Sequence, residues 1–68
     1  MKINYFEDTV TLHIEFQDSA AVETQEMSED VYMDLDEEGN LVSMTIEHAE
    51  ANANIMEFAF ERRPKVSA

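Results

Sequence analysis

Cysteine is absent from the 68-residue chain, which rules out disulfide stapling. Without thiolates, and with imidazole only at His13 and His48, the usual donor set of a structural zinc is missing too. Cations are scarce: four Lys and Arg stand against sixteen Asp and Glu, a net charge of −12. The one basic cluster, Arg62, Arg63 and Lys65, is too small to hold a nucleic-acid backbone. Glycine occurs once, at Gly39, so there is no glycine-rich phosphate loop. No nucleophile sits beside a base. No apolar run approaches the ~20 residues of a membrane helix, and the start "MKINYFEDTV" has no signal-peptide core. The expectations that follow are a cytoplasmic protein with no cofactor, no metal, no nucleic acid and no membrane partner.

What is present is a short, foldable, strongly acidic chain. Its apolar share of 44% places it with folded domains. A chain of this length buries only about 60% of its unfolded surface, so a single core barely offsets chain entropy. With disulfide and zinc gone, oligomerisation is the remaining staple, and a homodimer is expected. The acidity suppresses non-specific nucleic-acid binding and favours a basic protein partner, or none.

Alternation of period two dominates. In "VTLHIEF", Val10, Leu12, Ile14 and Phe16 alternate with Thr11, His13 and Glu15, a strong strand signal. "VYMDLD" and "LVSMTIE" alternate in the same way, while "KINYF" and "AVETQE" are weaker candidates. The expected fold is α+β: an antiparallel β-meander of about five to six strands, with one face apolar and the other acidic or hydroxylated. One short helix is expected near the C-terminus, at 48–54 in "HAEANAN". The tail "IMEFAFERRP" admits a continuous helix or a strand; Asn52 and Asn54 favour stopping the helix early and a strand near 57–61. The single domain spans 1–63, and 64–68, from Pro64, is expected to fray. A short helix of small residues cannot cover five strands, a second reason to expect a partner subunit.

"DLDEEG" offers a partial calcium-loop pattern, with Asp34, Asp36 and Gly39 at loop positions 1, 3 and 6. Position 12 is Thr45, however, so the closing carboxylate is missing, and the flanks read as strands rather than helices. A turn explains more: the only glycine separates two alternating runs, where a residue with φ > 0 is needed.

Residues 22–49, "VETQEMSEDVYMDLDEEGNLVSMTIEHA", resemble the bacterial and archaeal DUF2283 family of small proteins. The matching positions include Val22, Thr24, Glu26, Val31, Met33, Asp34, Asp36, Gly39, Leu41, Val42, Met44, Ile46 and Ala49. "MKINYFEDTVTLHI" is similar to the family's opening strands, and "HAEANANIMEFAFE" to the tail of its longer members. Ser43 stands where many members have Gly, and "SED" at 28–30 lacks their common Gly. The resemblance carries over no activity and no catalytic residue. It implies an antitoxin-like association, because members are often encoded beside small RNase-like toxins.

The expected function is therefore that of a small acidic protein-interaction module, not an enzyme, binding a basic RNase-like partner. Glu15, Asp34, Asp36 and Glu47, which alternation places on the wet face, are the candidate steering residues. Met44 marks the competing docking surface on the apolar face, because methionine packs adaptably. The alternative is a metal-binding or enzymatic domain using His13, Glu15, Asp34 and His48. Against it, His13 with Glu15, and Asp34 with Asp36, read more simply as a solvated polar face, and an open sheet offers no pocket to separate paired carboxylates.

Overall fold

Each of the five alternating runs forms a strand in the computed structural model, which describes residues 1–54 and 56–64. The strands are β1 (Lys2–Phe6), β2 (Thr11–Glu15), β3 (Glu23–Glu26), β4 (Val31–Leu35) and β5 (Leu41–Ile46), followed by one helical turn, α1 (Ala49–Asn52). All pairings are antiparallel, in the order β1-β2-β5-β4-β3. The fold is thus mostly β.

This order corrects the expected meander. β1–β2 is one hairpin and β3–β4–β5 a second unit, and the two join where β2 pairs with β5. The connection 16–22 carries the chain from β2 to the far edge. The composition of the strands accounts for this. β5, "LVSMTI", contains buried Val42 and takes the centre. β3, "ETQE", has no large apolar side chain and is exposed throughout, so it suits an edge that must resist pairing with other chains.

The registers give the two faces directly, because side chains alternate across a strand. One cross-strand row runs Ile3–Ile14–Met44–Met33, and another runs Tyr5–Leu12–Ile46–Val31. The opposite face carries Lys2–Glu15–Ser43–Asp34–Thr24 and Asn4–His13–Thr45–Tyr32–Glu26. The expected division into an apolar and a polar face is what the sheet shows.

The β4–β5 turn is the one inferred for Gly39, whose φ is +85°. Asp36 closes it: its amide donates to the Asn40 carbonyl (2.9 Å), and its Oδ1 accepts from the Glu38 and Asn40 amides at 3.0 and 2.8 Å. The motif is an Asx-type turn, and the carboxylate oxygen that a calcium loop would offer to an ion is held by the backbone.

The C-terminal part differs from expectation. The helix covers Ala49–Asn52 rather than 48–54, because His48 enters it in the left-handed region and Ala53 leaves it extended. The strand expected near 57–61 does not form. The Glu57 amide donates to the Asn54 carbonyl (3.3 Å), and Asn54 Nδ2 donates to Glu57 Oε2 (2.8 Å), which turns the chain instead of extending it. Phe58 then reaches the apolar face beside Ile3, Tyr5, Leu12 and Ile14. The fraying expected after Pro64 lies outside the described residues.

Burial is slight. Among the described residues only Val42, Ser43 and Ala49 are buried. Ala49 is fully enclosed, and its amide donates to the Val10 carbonyl at 2.9 Å.

Candidate functional site

The polar face separates the expected steering residues into two kinds. Glu15 and Glu47 are exposed. Asp34 is half-buried and has both oxygens occupied: Oδ1 accepts from Thr24 Oγ1 at 2.6 Å and Oδ2 from Ser43 Oγ at 2.8 Å. It clasps β3, β4 and β5 together. Its carboxyl is held below the ordinary 3.8, first by the Thr24 hydroxyl, with Ser43 and the nearby His13 adding to this and partial burial opposing it. Asp36 serves the turn. Met44 lies on the other face, half-buried in the central strand.

The alternative quartet does not assemble. His13, Glu15 and Asp34 share the polar face, with His13 Nδ1 3.1 Å from Thr45 Oγ1. His48 lies beyond the end of β5. Among the described residues the metal-ligating group that forms is a different one: Asp30, Glu47 and His48, each offering a ligand atom within 4.8 Å of the others. Of the quartet only His48 takes part.

Backbone register builds this group. Val31 pairs with Ile46, so the residues just outside the ladder, Asp30 and Glu47, come together, and the Glu47 amide donates to the Asp30 carbonyl at 2.7 Å. His48, at φ 50°, then turns its ring so that Nδ1 lies 2.9 Å from Asp30 Oδ1. Asn52, one turn on, donates to Asp30 Oδ2 (3.0 Å) and to the carbonyls of Glu47 and His48 (3.1 Å each). Chemically this is a hydrogen-bonded knot at the β5–α1 junction. The Asp30 carboxyl is lowered from 3.8 by the Asn52 amide and then by His48, and the His48 imidazole is raised from 6.5 by its bond to Asp30 and by that residue's charge. A cation entering here would have to displace the His48–Asp30 contact.

Asp30 was absent from the sequence-based candidates because it lies 18 residues from His48. A hairpin centred on the Gly39 turn is the signal that could have found it, since such a hairpin brings position 30 opposite position 47.

The polar face is rich in carboxylates. Tyr32, on β4, has its phenol raised from 10.0 first by the charge of Glu47, then by partial burial and by Glu26, Asp30 and Glu29. Within residues 2–50 there are fourteen carboxylates and one cation, Lys2. Among the described residues no helix is long and apolar enough to cross a membrane.

The family model described as a protein of unknown function, DUF2283, matches residues 2–50, and the chain belongs to that family. No curated protein and no solved structure matches it.

Proposed function

We propose that this DUF2283 member is a cytoplasmic protein-interaction module whose acidic sheet face receives a basic protein, in the manner of an antitoxin bound to an RNase-like toxin. The reading assigns the chain no catalytic step and no cofactor. The observation that carries it is the charge imbalance of residues 2–50, with Glu15, Glu26 and Glu47 exposed on one face. A one-signed surface of this kind raises the encounter rate with an oppositely charged partner and repels acidic ones.

The test is recovery of a partner from the native cell, followed by biosensor kinetics on the purified pair. Association should slow several-fold as ionic strength rises from about 0.05 to 0.15 M, because the Debye length shortens to about 8 Å. Glu15→Gln together with Glu47→Gln should lower the on-rate and leave the fold intact. Asp34 and Asp36 are unsuitable for this test, since their oxygens hold the chain's own donors. If the bound protein is not basic, or the on-rate ignores both salt and the amide exchanges, the acidic face is not the docking surface.

A further inference from the structure

The apolar face carries a separate inference, which goes beyond the acidic-face reading and does not depend on it. Among the described residues no large side chain is fully buried. Ile3 is 39% exposed, and Leu12, Ile14, Met33, Met44 and Ile46 are all only half-buried, although β2, β5 and β4 are interior strands of the sheet. The chain's own cover, Ala53 and Phe58, reaches the β1–β2 end, and Phe58 is itself 71% exposed. A central β5 residue such as Met44 would be shielded if a second layer were present.

The area points the same way. The chain exposes 5707 Å². A folded monomer of 7.8 kDa is expected to expose about 4,400 Å², so the surplus is about 1,300 Å². Each member of a stable pair typically buries about 800 Å², and obligate homodimers bury more. Part of the surplus lies on the tail, whose Phe58 and Phe60 also lack cover.

Charge selects the occupant. The two apolar rows contain no ionisable side chain except the Tyr5 phenol, and Glu15, Asp34, Glu26 and Glu47 lie on the reverse side; Glu50, which accepts from the Tyr5 hydroxyl at 3.1 Å, and Glu57, beside Phe58, flank the rows at the β1–β2 end. A basic protein is therefore drawn to the reverse face. A second copy of this chain presents a matching apolar face of the same size, and packing the two about 10 Å apart leaves Glu15, Glu26, Asp34 and Glu47 of both outside. Edge pairing would not serve, because it would lengthen the sheet and leave both apolar faces in water.

We propose that two copies close on one another through the face bearing Ile14, Met33, Met44 and Ile46, forming a two-layer sandwich about a two-fold axis. The methionines are built-in probes. Hydroxyl-radical footprinting of the full chain, run across a dilution series followed by sedimentation, should show a particle of twice 7.8 kDa at micromolar concentration. In that particle Met33 and Met44 should oxidise at least fivefold more slowly than in the dilute form. Met27, 55% exposed on a turn, should oxidise equally in both. Met44→Glu, which sets a carboxylate against its symmetry mate, should raise the dissociation constant about a hundredfold or more. A monomer at all concentrations would overturn the proposal. So would a dimer in which Met33 and Met44 react as fast as in the dilute form, which would identify an edge-paired assembly. Should the Met44→Glu chain fail to fold, the footprint of the unaltered protein still decides.

Discussion

Replacing Asp34 by alanine should destabilise the protein by about 2–3 kcal/mol, a large effect for a carboxylate that alternation assigns to the wet face. The magnitude follows from its two partners. Ser43 is 5% exposed, so removing the acceptor of its hydroxyl strands a buried polar group, worth about 1–3 kcal/mol. Thr24 is exposed, and water replaces much of what its 2.6 Å bond supplies, leaving about 0.5 kcal/mol. A chain of this length has a total stability of roughly 3–10 kcal/mol, so the loss is readily measured. Asp34→Asn keeps one acceptor and should cost about half as much. Glu15→Ala, on the same polar row but solvated, should stay within about 0.5 kcal/mol of the parent. The assay is urea unfolding followed by circular dichroism at one fixed protein concentration, with the slope m unchanged. A double-mutant cycle with Ser43→Ala isolates the pair. An Asp34→Ala chain as stable as the Glu15→Ala control, or a cycle with no coupling, would refute the clasp.

Gly39→Val should cost about 1–2 kcal/mol in the same assay through backbone strain alone, because φ is +85° and a Cβ there meets nothing within 4 Å; Gly39→Asn should cost much less. The Asp30–His48 contact should make stability depend on pH from both sides. The raised His48 contributes fully below 6.5 and is lost as pH climbs through its folded value, whereas the lowered Asp30 contributes above 3.8 and is lost as pH falls through its own. Thermal melts of His48→Gln against the parent should therefore differ most between about pH 4 and 6.5 and converge at high pH, and a constant difference across pH 4–9 would show that the pair has no ionic part.

Alternation made the strands and their faces legible, because period two is a property of each segment by itself. It says nothing about which strand lies beside which. The connection from β2 to β3 could have closed a hairpin, and the departure from a meander depends on a comparison among segments: β5 is apolar enough for the centre and "ETQE" is not. The same limit explains residues 57–61, where Phe58 and Phe60 alternate with Glu57, Ala59 and Glu61 as a strand would, but the Asn54–Glu57 turn directs Phe58 onto the apolar face and, among the described residues, β1 stays an unpaired edge. The clasp at Asp34 is hidden for a further reason: alternation gives its outward direction, but Thr24 and Ser43 come beside it only through cross-strand register. The Gly39 turn succeeded because one residue type and one backbone angle settle it locally.

The two faces, taken together, demand opposite responses to salt, and this separates them experimentally. Two chains of −12 that meet through apolar rows must overcome mutual repulsion, so screening should tighten their association until the hydrophobic contact alone sets it. A basic partner on the reverse face is held partly by attraction that the same screening weakens. The distribution of carboxylates makes the repulsion tolerable: Glu15, Glu26, Asp34 and Glu47 face away from the shared layer, and the charge nearest it sits at its margins, on Glu23 of β3 and on Glu50, which accepts from the Tyr5 hydroxyl. Pairing also doubles the acidic surface offered to a partner, with one face on each side of the sandwich. Assembly through the apolar layer would thus both supply the core that Val42, Ser43 and Ala49 are too few to provide and present two acidic faces to basic protein.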